Sequence, residues 1–201
     1  MTVFERPRST AFSLVELLIV IALICVLYAA WFSFGSGVHQ KTQKERCSDN
    51  LEKLFLAMQI YANDSGEFPL NTNATTSEQV LNSLVPRYTA DTSLFICPGG
   101  RDPDIPSGAP LTQHKISYAY YMGRGTNAAP TDFLLSDRQI NTASKDAGDQ
   151  VFSLDGKSPG NNHSKYGGNV LFCDGSVQTI PPRAPFSLAF SNGIVLLNPK
   201  P

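Results

Sequence analysis

The feature that most constrains this chain is one apolar stretch near its N-terminus, from Phe12 to Phe34. Between Leu17 and Phe34, 18 consecutive residues carry no charged side chain, which is the threshold length for a membrane-spanning helix. The stretch holds one charge, Glu16, and a carboxylate at such a position costs about 2.5–3.5 kcal/mol on insertion scales. On a helix, Glu16 lies one turn after Phe12 on the same face. A chain cut before Phe12 would therefore place its new amine beside this carboxylate.

Three other interpretations of the stretch compete with this one. A secretory signal peptide has an apolar core of only about 7–15 residues and no glutamate within it. A signal-anchor helix that is never cleaved is a second alternative. A buried helix of the protein core is disfavoured by the length and by the apolar character on all sides.

Residues 11–18 read AFSLVELL and resemble the processing site of type IV prepilins and type II secretion pseudopilins. The resemblance implies cleavage between Ala11 and Phe12 by a prepilin peptidase, followed by N-methylation of Phe12. It also implies that Glu16 pairs with the Phe12 amine of a neighbouring subunit when a filament assembles. The family usually has glycine before the cut, where this chain has Ala11.

Charges around the stretch predict its orientation. Arg6 and Arg8 precede it against one acid, Glu5, so the positive-inside rule places the N-terminus in the cytoplasm and the rest outside. We therefore expect a single-pass protein of the bacterial inner membrane with an exported C-terminal part. The net charge of −1 gives no electrostatic basis for nucleic-acid binding.

The length of the chain allows one anchor and one domain of ordinary size. Apolar residues recur every three or four positions from Cys47 to Ala62, and Asp64-Ser65-Gly66 is a helix stop. We expect a leader at residues 1–11, a transmembrane and assembly helix at 12–35, the soluble half of a spine helix at 36–66 and a pseudopilin head at 67–201.

Short strand-like runs separated by turn residues predict a small antiparallel sheet in the head. Asp174-Gly175 would turn one hairpin, since this pair tolerates the positive φ of a type I′ turn. The fold class predicted is α+β and pilin-like, with a long membrane-spanning N-terminal helix extended as a spine and packed on the sheet. Candidate strands lie at residues 94–97, 116–122, 133–135, 151–154, 169–173, 177–180 and 194–197.

Cysteines are divided between the two parts of the chain. Cys25 lies in the apolar stretch and is expected to act as a small apolar residue, whereas the other three lie in the exported part, where disulfides persist. We predict a Cys47–Cys97 bridge, because Cys47 lies on the apolar face of the spine helix and Cys97 ends a strand at a Pro-Gly-Gly loop. Two alternatives stay open: Cys97 pairs with Cys173, or all three are buried small side chains. The absence of a CxxC pair argues against a zinc site.

Residues 162–175 read NHSKYGGNVLFCDG and resemble the C-terminal motif of a prepilin-like subgroup. In that motif nine residues separate a histidine from Asp-Gly. Here ten residues separate His163 from Asp174-Gly175. Residues 47–51 and Cys97-Pro98 resemble the same subgroup. This resemblance implies a pseudopilin-like fold rather than a defined activity.

His163 can act as a metal ligand, a general base or a structural hydrogen-bond partner, and we expect a structural role that fixes its loop over the sheet. Asp137 and Asp174 lie at the ends of predicted strands, where carboxylate oxygens could bind calcium. Major pseudopilins often hold calcium in a C-terminal loop, so the resemblance favours the same. Cys173 with His163 is the nucleophile–base pair to consider, but a neighbouring carboxylate disfavours its thiolate. We therefore expect no enzyme and no cofactor other than such a calcium ion.

Together these features predict a structural subunit of a type IV pilus-like filament or of a type II secretion pseudopilus. Its expected partners are the prepilin peptidase, other pilin or pseudopilin subunits and the inner-membrane assembly platform. The alternative from another class is a membrane-anchored, exported ligand-binding module that does not polymerise.

Overall fold

Helix α1 is the longest described element and runs from Leu14 to Ser65. The computed structural model describes residues 13–191 and 193–201, without the side chains of residues 31–40. The chain divides into an N-terminal unit, Met1–His39, and a head, Gln40–Pro201. Helix α1 begins in the first unit and ends in the second.

The N-terminal unit corrects the fold class expected from the sequence. Among residues 13–191 and 193–201, no helix combines the length and the apolar character needed to cross a membrane. The expected pilin-like α+β fold with a membrane-spanning spine helix is therefore wrong.

Within the head, α1 buries one stripe of apolar side chains, because residues three and four apart share a helix face. The helix ends at Ser65, and the next residue, Gly66, adopts φ +84°. The Gly66 N–H donates to the Ala62 carbonyl at 2.8 Å, which satisfies a carbonyl of the last turn. The buried stripe consists of Cys47, Leu51, Leu54, Met58 and Ala62.

A five-stranded antiparallel sheet forms the centre of the head, in the order β4-β3-β2-β1-β5. One short helix, α2 (Ser77–Leu81), and three 3-10 turns, Asn82–Leu84, Thr92–Phe95 and Leu111–Gln113, precede it. The strands are β1 (Tyr118–Met122), β2 (Phe133–Asp137), β3 (Gly168–Phe172), β4 (Val177–Ile180) and β5 (Val195–Leu197).

Both faces of the sheet are covered, so every residue of β1 and β2 is buried. Tyr118 and Tyr120 point into the core that α1 lines, whereas Ala119 and Tyr121 belong to a second core on the other face. That second core contains Phe152 from the segment before β3, as well as residues that follow β4. Strands covered on both faces position their polar residues away from solvent.

Two predicted strands are wrong. Residues 94–97 begin inside a 3-10 turn at Thr92–Phe95, which Asp91 caps by accepting a hydrogen bond from the Ser93 N–H at 3.1 Å. Residues 151–154 form no strand, because the N–H groups of Val151 and Phe152 both donate to the Pro182 carbonyl, at 2.9 and 3.1 Å. In each case the backbone forms hydrogen bonds to partners outside the strand ladder.

Candidate functional site

The described part of the N-terminal unit begins with a capping box. The Ser13 N–H donates to Glu16 Oε2 at 3.0 Å, and the Ser13 hydroxyl accepts from the Val15 N–H at 3.3 Å. A serine before the helix and a glutamate three residues later satisfy N–H groups that a helix start leaves unpaired. The predicted cleavage site, Ala11 and Phe12, lies outside the described residues.

The same helix exposes apolar side chains in every direction. From Leu14 to Tyr28, twelve large apolar residues are each between 45% and 79% exposed. They include a run of five consecutive positions, 17–21, and are not confined to one face, so the apolar surface surrounds the helix. Cys25 lies within this surface and is exposed as well. We call residues 14–28 the apolar collar.

A buried group of four side chains lies in the head, and we call it the Cys–His–Asp cluster. It gathers residues from four places in the chain: helix α1, the loop after the second 3-10 turn, the end of β2 and the loop before β3. Each of its members is at most 1% exposed. The members are Cys47, Cys97, Asp137 and His163.

The structure joins Cys47 to Cys97 in a disulfide, with their Cα atoms 5.4 Å apart. His163 Nε2 lies 3.4 Å from Cys97 Sγ and 3.2 Å from Asp137 Oδ2. The Tyr118 hydroxyl donates to Cys47 Sγ at 3.3 Å. Burial raises the pKa of Tyr118 well above its usual range, so this hydroxyl stays a neutral donor.

Asp137 is held by the backbone and side chains around it. The Asn169 N–H donates to Oδ2 at 2.7 Å, and the Asn162 amide donates to Oδ1 at 2.8 Å. Among the described atoms, His163 Nδ1 has no hydrogen-bond partner. A Cβ atom at Gly99 would approach it to 2.6 Å, so this glycine lets the Cys97-Pro98 loop close over the ring. The sequence singled out His163 and Asp137 separately, and the structure brings them together.

Asp174 and Gly175 lie away from the cluster. Asp174 is exposed, and hydrogen bonds from the Ser176 hydroxyl (2.6 Å) and N–H (2.8 Å) lower its pKa. Register places Asp137 beside the start of β3, whereas Asp174 follows its end, so the two predicted calcium ligands do not share a site.

The hairpin that Asp174 and Gly175 turn is not type I′. The Gly175 N–H donates to the Phe172 carbonyl at 3.0 Å, and of these two residues only Gly175, at φ +87°, has a positive φ. This is the three-residue loop in which a glycine follows a type I turn.

Cys173 and His163 likewise lie at opposite ends of β3 and do not form a nucleophile–base pair. His163 instead contacts Cys97 and Asp137. Burial raises the pKa of the Cys173 thiol to about 11, and the nearby carboxylates of Asp132 and Asp174 act in the same direction. A thiol with that pKa is a poor nucleophile at neutral pH.

A polar cleft of about 510 Å³ shares Asn162 with the cluster surroundings, and sequence reasoning missed it. In its lining, the Asp102 carboxylate lies 3.0 Å from Arg138 and 3.7 Å from Lys115, and accepts from the Ser117 hydroxyl at 2.7 Å. Its lining includes Arg101 and Lys157 as further cations. No local motif marks these residues, because they come from four separate loops and strand ends.

Comparison of the chain with protein-family models, with curated proteins and with solved structures finds no match.

Proposed function

We propose that the chain is a structural subunit that polymerises through its N-terminal helix into a filament of the type IV pilus or secretion-pseudopilus kind. The proposal includes cleavage before Phe12 by a prepilin peptidase, other pilin-like subunits as partners and an assembly platform at the inner membrane. It rests on the resemblance of residues 11–18 to prepilin processing sites and on the apolar collar.

The apolar collar is the observation that carries the proposal. Large exposed apolar patches on a protein mark surfaces that another molecule covers. An ordinary dimer interface would need one apolar face, yet the exposed residues of the collar lie on all sides of the helix. Such a surface favours a position among several neighbours, as in the central helix bundle of a filament.

The magnitudes favour several neighbours over one. Burying the exposed half of a large apolar side chain is worth about 1 kcal/mol, so covering all twelve collar residues contributes about 12 kcal/mol. One partner that covers a third of the circumference would contribute about 4 kcal/mol, which is at the lower end of the about 4–15 kcal/mol that association costs. Neighbours on several sides raise the free energy gained by burial to about 12 kcal/mol, which exceeds most of the estimated range of the association cost.

The test expresses the full chain in a bacterium with an active prepilin peptidase. Intact mass should show the loss of residues 1–11 and the gain of one methyl group, and sheared cell fractions should contain filaments. Cys25 supplies a probe of packing, because it is exposed within the collar. In a Cys173→Ser background, a bis-maleimide should link Cys25 of neighbouring subunits in the filament fraction.

Cys25→Ser is the matched control, and it should leave filaments intact while abolishing the cross-link. A full-length mass together with a monomeric chain would overturn the proposal and favour the non-polymerising binding module. Filaments that form without a Cys25 cross-link would show that subunits meet through the head rather than through the collar.

A further inference from the structure

We propose that the Cys–His–Asp cluster is a structural Zn²⁺ site that becomes available when its disulfide is reduced. The inference is independent of the filament proposal, because it concerns the buried interior of the head. It assigns one donor atom to each member of the cluster: two cysteine sulfurs, His163 Nε2 and an oxygen of Asp137.

The donor set is one that zinc prefers. Thiolate sulfur, imidazole nitrogen and carboxylate oxygen are the ligands that Zn²⁺ takes in proteins, and structural sites use four of them with no position left open. All four side chains are buried, which leaves no room for a substrate at the metal. In the described part of the chain, these residues form the one group of potential ligands close enough to share an ion.

The distances already approach those of a metal site. With zinc about 2.3 Å from sulfur and about 2.0 Å from nitrogen or oxygen, a tetrahedron has edges of about 3.5 Å between sulfur and nitrogen and about 3.3 Å between nitrogen and oxygen. Here Cys97 Sγ lies 3.4 Å from His163 Nε2, which lies 3.2 Å from Asp137 Oδ2. All the potential ligand atoms lie within 4.8 Å of one another.

The distance between the two sulfurs has to change when a metal binds. The two sulfurs, bonded in the disulfide, must separate to about 3.8 Å, the sulfur–sulfur edge of the same tetrahedron. Because the Cα atoms of Cys47 and Cys97 are 5.4 Å apart, rotation of the two side chains about their Cα–Cβ bonds achieves this without moving the backbone.

The disulfide alone does not account for the polar groups around it. Its sulfurs are uncharged and weak acceptors, yet a carboxylate, an imidazole and the Tyr118 hydroxyl converge on them in a site closed to water. Metal sites typically show such an outer shell, in which hydrogen bonds orient the ligands. Here Asn162 and Asn169 orient Asp137, and the Tyr118 hydroxyl faces the sulfur that would become a thiolate.

Two steps, reduction and metal binding, convert the disulfide form into the metal-bound form. A dithiol gives two electrons and two protons to the disulfide, which becomes two thiols, while the dithiol itself becomes a disulfide. Zn²⁺ then displaces both thiol protons to solvent and is bound by the two thiolates, neutral His163 and the Asp137 carboxylate. The disulfide and the metal use the same sulfurs, so each state excludes the other.

Cobalt is the probe for the experiment, because tetrahedral Co²⁺ bound to thiolates has visible d–d bands and a near-ultraviolet sulfur-to-metal charge-transfer band. The full chain with Cys25→Ser and Cys173→Ser is kept in detergent, reduced with a dithiol and desalted under nitrogen. We expect one Co²⁺ per chain with both spectral features, displaced by Zn²⁺, and no such spectrum for the oxidised chain. Zn²⁺ should also raise the unfolding temperature of the reduced chain.

Asp137→Asn tests the carboxylate, and we expect its dissociation constant for Co²⁺ to rise at least about 10-fold, since even loss of an outer-shell partner costs 10- to 100-fold. The oxidised form of the same variant, held by its disulfide, reports whether the fold survives. Replacing both Cys47 and Cys97 with serine should remove the charge-transfer band, and this result does not depend on Asp137. A reduced parent chain without the tetrahedral spectrum would overturn the proposal, and so would a thiolate spectrum that persists when both Cys47 and Cys97 are serine.

Discussion

Replacing Glu16 with glutamine should abolish filament assembly while leaving the start of helix α1 intact. The structure gives Glu16 one task, to accept the Ser13 N–H at 3.0 Å, and glutamine performs this task equally well in a capping box. The filament proposal gives Glu16 a second task, to neutralise the amine of Phe12. Glutamine is neutral and cannot perform the second task.

The free-energy costs of losing these two interactions of Glu16 differ. Loss of a helix cap costs about 1 kcal/mol, a local effect on the first turn. An amine left without its carboxylate inside a bundle of apolar helices costs about 3–5 kcal/mol, because a buried charge is then uncompensated. The second cost recurs at every subunit, and it weakens each addition by more than about 100-fold.

Filament yield, measured by sedimentation and electron microscopy, separates the two tasks in three variants. Glu16→Gln and Glu16→Ala should both fail to assemble, although only Glu16→Ala loses the cap. Ser13→Ala removes the hydroxyl that accepts from the Val15 N–H but keeps the carboxylate, so it should assemble. If Glu16→Gln assembles normally and Glu16→Ala does not, Glu16 acts by capping the helix and the charge-pairing argument is refuted.

Two further predictions concern the head. Gly175→Ala places a Cβ 2.6 Å from the Phe55 ring at φ +87°, whereas Gly148→Ala, at φ +93°, meets no atom within 4 Å. Urea unfolding should show that both variants lose about 1–2 kcal/mol of unfolding free energy to backbone strain. Gly175→Ala should lose about 1–3 kcal/mol more, because its Cβ meets the Phe55 ring. Equal losses in the two variants would contradict the packing of Gly175 on Phe55. Burial lowers the pKa of Lys145 from its ordinary 10.5 to about 8, so the folded state binds fewer protons than the unfolded state between these values. The free energy of unfolding of the wild type relative to Lys145→Met should therefore rise from pH 8 to pH 10.5, and a pH-independent difference would count against this burial.

The strands could be predicted from the sequence because the apolar runs and turn residues that mark them are local. Each observed strand overlaps a predicted run, and each of those runs ends at turn residues such as Gly123 or Asp174. Residues 94–97 and 151–154 have the same apolar character but are not strands. There the backbone bonds to a cap at Asp91 or to Pro182, and neither partner is recognisable from composition. The membrane span is wrong for a different reason, since within the described residues no helix has both the length and the apolar character that the composition of the stretch predicted.

Only part of the Cys–His–Asp cluster could be predicted from the sequence. The structure joins the two cysteines that the sequence paired, but local spacing gives no sign that Asp137 and His163 reach the same point. Register brings them there: Ser136 pairs with Val170, so Asp137 falls beside the Asn169 N–H and the loop that carries His163. The rule that argued against zinc looks for CxxC pairs. Here the fold makes a pair from cysteines separated by 50 positions.

Strand β3 lies between His163 and the turn at Asp174-Gly175 and separates their contacts. His163 precedes β3 and enters the buried cluster, whereas Gly175 follows β3 and packs on Phe55 of α1. An extra residue inside β3 would turn every later side chain to the opposite face and remove Leu171 from the core under α1.

An extra residue in the loop has no such effect. Ser164 adopts φ +55°, and the Tyr166 N–H donates to the His163 carbonyl at 3.1 Å, which closes a compact turn before the strand begins. The length of β3 therefore fixes the distance between the Cys–His–Asp cluster and the Phe55 contact, and the loop at positions 164–167 does not.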